Sequence, residues 1–488
     1  IHAALDRFVA AEPAHRPIGA GDWSAARKAI AAFYVERSYA PLWTDGDHLS
    51  GAAKSALARL AKAGEDGLDI ADLPRPAADW GDRVVSRQAE ADIEISAAVV
   101  AYALQATGAR IKPGALSKDV SAKPEIADPA FVLKSVAAAD DPDAALAAFN
   151  PPQAGYLALR AALAKMRDEG SVPVAQFSPG PVLMLGMSDP RVPLIRARLG
   201  LSSLRDAPRV YDVRVASAVA AFQRVHGLPV NGALTQATAN ALSGGNLRER
   251  RESLILANME MWRWEPRQMG EMRVEVNVAD FSLKLMSGDA VLWRTRVIVG
   301  KPDTPTPIFS NSIKYMLFNP AWHVPESIIK KEMEPKYAAD PSYFARHGYK
   351  VSYVGHKLVV EQPPGEANAL GRMLFLFPNE HAVYLHDTPQ RSLFSASYRA
   401  LSHGCVRVEN PARLAEILMG GAGRGWTDAK VRSLLGDKER TFSLPVPVPV
   451  HLQYFTEFVE ENGALRERED LYGLTRKVEL ALAKVRRD

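Results

Sequence analysis

The chain has 488 residues, 47% hydrophobic and 24% charged, and its 60 basic and 56 acidic side chains leave a net charge of +4. This ordinary globular composition excludes a disordered or strongly nucleic-acid-like polymer, although mild basicity would suit an anionic partner, and no apolar run approaches the ~18 residues of a membrane-spanning helix. A single cysteine, Cys405, excludes an internal disulfide and a thiolate-built zinc cluster.

The length predicts more than one domain, since single cores rarely grow past about 250–300 residues. The first stretch, IHAALDRFVAAEP, lacks an initiating Met and starts inside an amphipathic pattern. A longer natural chain whose export signal has been removed is expected, and scarce cysteine fits an oxidising compartment. Residues 1–180 read as a helical domain, with apolar residues at three- and four-residue spacing in AARKAIAAFYVERSYAPLW and GAAKSALARLAKAGEDGLD. Gly67 is a stop signal. SVPVAQFSPGPV, Ser171 to Val182, has the Pro and Gly density of a linker.

Residues 181–245 form a compact unit. Val215, Val219 and Phe222 share one helical stripe, Gly227 ends that helix, PVNG turns the chain, and Thr235 caps a second short helix. The AFQ helix, the turn GLPVNG and the TQATANAL helix resemble the small three-helix peptidoglycan-binding domain. The alternative is a generic helical bundle kept as a spacer.

Residues 246–271 predict a helix returning to the helical domain and ending in a Trp-rich turn at Trp262 and Trp264. From Met272 the period changes to two. Val274, Val276 and Val278 share a face, as do Phe281, Leu283 and Leu285; Ser287-Gly288-Asp289 is a hairpin turn, and Trp293, Thr295, Val297 and Val299 continue the alternation. A β-domain over 272–440 follows, interrupted at about 325–372 by a charged, helical insertion suited to a lid over a groove. AVYLHDTP returns to strand, and NPARLAEILMG is a helix capped by Asn410 with Pro411 in its first turn. In the 441–488 extension, prolines confine LPVPVPVHLQ to an edge strand or an extended segment, with Val446, Val448 and Val450 on one face. LTRKVELALAKVRRD reads as a basic packing helix.

A lone cysteine is a small buried hydrophobe, an accident or a nucleophile. As a nucleophile it needs a base or a cation beside it. His403 is two residues away, and His386 on the upstream strand could come alongside by strand pairing. Gly404 permits close backbone approach, the amides of Gly404 and Cys405 could face a developing oxyanion, and Arg407 supplies positive charge. A metal site of His386, His403 and Cys405 is the competing arrangement, without a supporting ligand spacing.

LSHGCVRV with the upstream HDTP resembles the catalytic domain of the L,D-transpeptidases of the YkuD type. MWRWEPR, VIVGKPDTPTPIFS, FNPAWHVPESI, NALGRMLFLFPNEHAVYLHDTP and PVPVHLQYFT, with the N-terminal FYVERSYAPLWTDGDHLS, resemble the large periplasmic YcbB-like branch. The resemblance implies a multidomain α+β protein: a mixed, β-sandwich-like catalytic domain with a capping insertion, a helical scaffold domain and a small peptidoglycan-binding domain. It implies Cys405 as nucleophile and His386 as general base or as an imidazolium paired with the thiolate, oriented by a backbone carbonyl, which leaves Asp387 a doubtful third member. Ser402, His403 and Gly404 would shape the nucleophile turn, with His403 at most an indirect partner. Arg407, Tyr384, Trp322 and Ser402 would meet the substrate. The implied reaction is a 3→3 peptidoglycan cross-link, made from tetrapeptide stems through a cysteine thioester with release of D-Ala, in the periplasm, needing neither cofactor nor metal and open to carbapenem inhibition. A wall carboxypeptidase or amidase using the same Cys/His pair, and a non-catalytic wall-binding scaffold, are the alternatives.

Overall fold

The computed structural model describes the chain apart from residues 12–15, 47, 71–72, 74–86, 169–176, 179, 203–205, 226–227, 244–245, 356 and 486–488. Most of the expected linker from Ser171, and the helix stop at Gly227, therefore lie outside the described residues. The chain packs as two compact units, one of residues 1–154, 260–456 and 470–488, the other of residues 155–259 and 457–469.

In the first unit the N-terminal helices gather around Gln88–Ala106, an Ala- and Val-rich helix buried on nearly every side. Its Asp92 carboxylate is buried and accepts from the amides of Leu42, Trp43 and Thr44 and from the Tyr34 hydroxyl. A buried charge is tolerable when saturated in this way. Gly67 takes a left-handed φ of +71° after the short turn that follows helix Gly51–Ala61.

The same unit contains strands β1 (Met272–Asn277), β2 (Ser282–Ser287), β3 (Ala290–Gly300), β4 (Phe309–Phe318), β5 (Trp322–His323), β6 (Lys350–Val354), β7 (Lys357–Gln362), β8 (Met373–Leu376), β9 (Leu385–His386), β10 (Ala400–Ser402), β11 (Val406–Val408) and β12 (Arg440–Gln453). Nine form one mixed sheet in the order β10-β3-β11-β9-β8-β4-β12-β1-β2, and β2 also pairs with β3, closing the sheet on itself. The alternation read from the sequence explains the register: Val274 faces Leu285 and Val276 faces Leu283, all buried, across a turn whose Gly288 has φ +53°.

Three sequence expectations change here. First, β12 is internal rather than an edge, paired antiparallel with β4 and parallel with β1. Its register shifts between Ser443 and Val448, and this irregularity absorbs Pro445 and Pro447, which lack the donor a regular ladder needs. Val446 is exposed at the same break, whereas Val448 and Val450 are buried. Second, the insertion is not purely helical. Short helical turns from Glu326 to Arg346 pack on a sheet ordered β5-β7-β6, around Val324, Ile329, Met333, Phe344 and Val360. Helix Pro411–Leu418 begins at its proline as expected, but Asn410 adopts a left-handed φ of +55° and its side chain makes no capping bond.

The second unit has helices Val192–Arg198, Val213–Val225 and Gln236–Ser243 around Leu183, Ile195, Tyr211, Val215, Val219, Leu234 and Leu242. Thr235 accepts from the Thr238 amide at 3.2 Å, giving the predicted cap. Gln223 is buried, and its side-chain carbonyl accepts from the Asn231 and Gly232 amides at 2.9 and 2.8 Å, which fixes the PVNG turn against the helix.

Candidate active site

Strand pairing assembles the site. β9 and β11 run parallel, with Leu385 opposite Val406 and His386 opposite Arg407. The Val406 amide donates to the Tyr384 carbonyl at 3.0 Å, so Tyr384 lies alongside Cys405, just before β11. Side chains alternate between faces. Leu385 and Val406 therefore enter the apolar interior, where both are fully buried, and Tyr384, His386, Cys405 and Arg407 share the other face.

His386 is buried, and its Nδ1 lies 2.6 Å from the Asp387 carbonyl oxygen. A carbonyl only accepts, so Nδ1 carries the proton and a neutral ring keeps its lone pair at Nε2. The Asp387 carboxylate turns elsewhere: Oδ2 accepts from the Arg372 amide at 2.9 Å and lies 3.6 Å from Arg391. The histidine is thus oriented by the backbone of Asp387 and not by its side chain.

Burial pushes the His386 ring down to about 4, assisted by the positive Arg407 and opposed by backbone hydrogen bonds at Asp387 and Leu370. Burial pushes the Cys405 thiol up, while a backbone hydrogen bond from Tyr384 and the charge of Arg407 pull it down. At neutral pH both groups are therefore neutral. Two neutral groups favour proton transfer from thiol to ring during attack over a preformed thiolate–imidazolium pair. The charge of Arg407 acts on both groups, and its Nη1 donates to Gln390 at 2.9 Å.

The nucleophile loop is internally bonded. Ser402 Oγ donates to the Cys405 carbonyl at 2.5 Å and accepts from the Gly404 amide at 3.1 Å. Ser402 is buried, and its hydroxyl shapes the loop rather than facing a ligand. Gly404 has φ +117°, a conformation an L side chain resists. Its amide is committed to Ser402, whereas the Cys405 N–H has no acceptor among the described residues. His403 turns out of the loop, and its Nε2 lies 2.6 Å from Glu332 of the cap. Trp322 packs against the core of the cap. Among the described residues no three His, Cys, Asp or Glu side chains cluster as metal ligands. No helix there is long and apolar enough to cross a membrane.

Sequence reasoning missed Glu332, Gln390 and two hydroxyls behind the loop, Thr306 and Tyr472. Thr306 lies in the stiff segment TPTP, a weak local hint. Tyr472 is 166 positions away from its partner Thr306, and no local pattern reveals it.

Comparison with known proteins agrees with this geometry. Residues 271–445 match the L,D-transpeptidase catalytic domain of the YkuD family, residues 28–163 a scaffold domain, and residues 197–242 a peptidoglycan-binding domain. A curated Haemophilus influenzae protein, provisionally named an L,D-transpeptidase, is 35% identical over 225 residues, 42% of this chain and 45% of that protein's length. Among solved structures, an L,D-transpeptidase from Mycobacterium smegmatis is 18% identical, covering 38% of this chain and 58% of that one with a TM-score of 0.21. The LD transpeptidase LdtMt1 in complex with imipenem is 15% identical, covering 37% and 58% with a TM-score of 0.19. Superpositions of this size carry no argument of their own. Residues 271–445, with the Cys405 loop and the His386 strand inside them, are an L,D-transpeptidase catalytic domain, joined in one chain to a scaffold domain and a peptidoglycan-binding domain.

Proposed function

We propose that the protein forms 3→3 cross-links in peptidoglycan by two successive acyl transfers on Cys405. The observation that carries this reading is the shared face of Tyr384, His386, Cys405 and Arg407, together with a histidine whose Nδ1 is tied to a carbonyl, so that Nε2 is the ring atom that would act as base.

Acylation starts from the neutral pair. Sγ of Cys405 attacks the carbonyl at the L centre of the third residue of a tetrapeptide stem, and His386 Nε2 takes the thiol proton. The Cys405 N–H stabilises the oxyanion that forms. Collapse breaks the C–N bond to D-Ala, and the imidazolium gives its proton to the leaving amine. A thioester remains, with neutral His386. The side-chain amine of a second stem attacks it, the ring accepts a proton from that amine, and the expelled thiolate recovers that proton. The peptide bond energy is carried through the thioester, so the exchange is closed in atoms and charge.

Tyr384 and Arg407 would contact the donor stem, with Trp322 on the cap as a further groove residue. The insertion at about 325–372 acts as a lid that excludes water and favours an amine acceptor. The 181–245 unit would hold the wall polymer, and the site of action is the periplasm. Carbapenems would acylate Cys405, in line with the imipenem complex of LdtMt1.

Incubation with disaccharide-tetrapeptide tests the reading. Dimers with one D-Ala released per bond, absent in Cys405→Ala, are expected. Trimmed monomers without dimers would replace it with a carboxypeptidase.

A further inference from the structure

A closed set of hydrogen bonds holds the nucleophile loop at its Gly404 carbonyl. Thr306 is fully buried; its Oγ1 donates to the Gly404 carbonyl at 2.7 Å and accepts from the Gly300 amide at 2.9 Å. The Thr306 amide donates to the Tyr472 hydroxyl at 3.1 Å, and that hydroxyl donates to the Gly300 carbonyl at 2.6 Å. Each hydroxyl uses its one proton and accepts once. Burial pushes the Tyr472 phenol up to about 12, which keeps it protonated.

The surroundings leave this set little freedom. A Cβ on Gly300 would lie 2.2 Å from the Thr304 carbonyl oxygen and 2.7 Å from the Thr306 nitrogen, and one on Gly404 would touch the Pro305 carbonyl oxygen at 3.4 Å. The Lys301 amide donates to the Ser402 carbonyl at 3.0 Å. Just beyond, the Ile308 amide donates to Asp119 at 2.8 Å and its carbonyl accepts from Ser121 at 3.1 Å, so the scaffold segment fixes the far end of the 301–308 stretch.

The Gly404 carbonyl and the Cys405 N–H belong to one peptide unit, and no peptide bond among the described residues is cis. In a trans unit the C=O and N–H vectors are antiparallel. Pinning the oxygen on the Thr306 side therefore aims the N–H the opposite way, where it has no acceptor among the described residues. We propose that Thr306, held in turn by Tyr472 of the C-terminal segment, is a positioning residue that pre-aims the Cys405 N–H as the oxyanion donor. The inference rests on the reading of Cys405 as the acyl acceptor. Tyr472 lies outside the 271–445 match, so this part of the device belongs to the C-terminal extension.

The test uses the full chain with two probes of one sulfur. Imipenem acylation passes through an oxyanion; iodoacetamide alkylation, a direct displacement at carbon, does not. Thr306→Val should slow the first-order acylation step by on the order of tenfold to a hundredfold, up to the loss seen when an oxyanion donor is removed. The concentration for half-saturation and the alkylation rate should stay unchanged. Thr306→Ser should restore most of the rate, and Tyr472→Phe should lose severalfold with the same selectivity. Acylation at the wild-type rate in both Thr306→Val and Tyr472→Phe would overturn the inference. So would an equal loss in acylation and alkylation in Thr306→Ser, which would mean a disturbed loop. A wild-type protein that forms no imipenem adduct would sink the acyl-transfer reading itself, a result separate from either.

Discussion

His403 of the nucleophile loop and Glu332 of the cap meet through Nε2 and Oε1 at 2.6 Å. The cap is thereby tied to the residue two positions before the nucleophile. Both side chains remain partly exposed, at 36% and 44%, and a pair of this kind contributes about 0.2–1 kcal/mol. Glu332→Ala should therefore shift cap closure by up to roughly fivefold, raising the ratio of hydrolysed to cross-linked product by a similar factor. Product ratios from disaccharide-tetrapeptide check this; an unchanged ratio would mean that the contact has no part in closure.

The protonation states of the pair make a pH prediction. His386 is pushed down to about 4 by burial, so the neutral base is present at all pH values above that. The acid limb of kcat/KM should fall near pH 4 rather than near the ordinary imidazole value of about 6.5. The Cys405 thiol is pushed up by burial, so the alkylation rate of the free enzyme should rise with a midpoint above the ordinary thiol value of about 8.5. A midpoint below pH 7 would indicate a standing thiolate and contradict the neutral pair.

Gly371 has φ +65°, and a Cβ there would lie 2.4 Å from the Asp387 Cβ. Asp387 supplies the carbonyl that orients His386. Gly371→Ala combines a left-handed strain of about 1–2 kcal/mol with displacement of that residue. Acylation should fall at least about tenfold, the scale of a misplaced base. Stopped-flow acylation with a parallel thermal melt checks it, and wild-type rates would show that the Asp387 backbone does not set the ring.

Away from the site, Glu265 lies 3.8 Å from His451, which looks like an ion pair but is not one. Burial pushes the Glu265 carboxyl up to about 8 and the His451 ring down, so both are neutral at pH 7. His451 is held by the Met269 carbonyl at 2.9 Å and by Ser310 at 2.8 Å. A carboxyl that binds its proton more tightly when folded than unfolded favours folding least where the unfolded chain has lost that proton. The contribution of Glu265 to stability should fall as pH rises from about 4.5 to about 8, by on the order of a few kcal/mol, and then level off, whereas the depressed His386 and His451 contribute in the opposite sense below about pH 6.5, so the comparison with Glu265→Gln isolates it. Denaturant melts at pH 5 and pH 9 should show this loss in the wild type and a smaller one in Glu265→Gln. Equal losses in both would contradict it.

The nucleophile loop was legible in the sequence because its parts are contiguous, with Ser402 to Arg407 carrying shape, sulfur and charge together. The strands from Met272 to Gly300 were legible because one face of each is apolar. What stayed hidden depends on partners distant in the chain or on backbone atoms. The acceptor for His386 Nδ1 is a carbonyl, which any residue type supplies. The aim of the Gly404 amide depends on a serine hydroxyl, and the hold on the Gly404 carbonyl on Thr306. The prolines of LPVPVPV suggested an edge because a regular ladder excludes them, but a register shift makes an internal strand tolerate them. The hairpin of the cap, KVSYVGHKLVV, does alternate, yet its β6 residues are exposed, so no buried face marks it beside the charged helical stretch before it.

The most direct test is rapid-quench intact-mass analysis of the wild-type chain mixed with a tetrapeptide donor and no acceptor. The account predicts a covalent adduct equal to the donor less D-Ala, mapped by digestion to Cys405, lost in Cys405→Ala and formed at least about a hundredfold more slowly in His386→Ala. Turnover of the donor by Cys405→Ala at the wild-type rate, or an adduct mapped to any other residue, would contradict it.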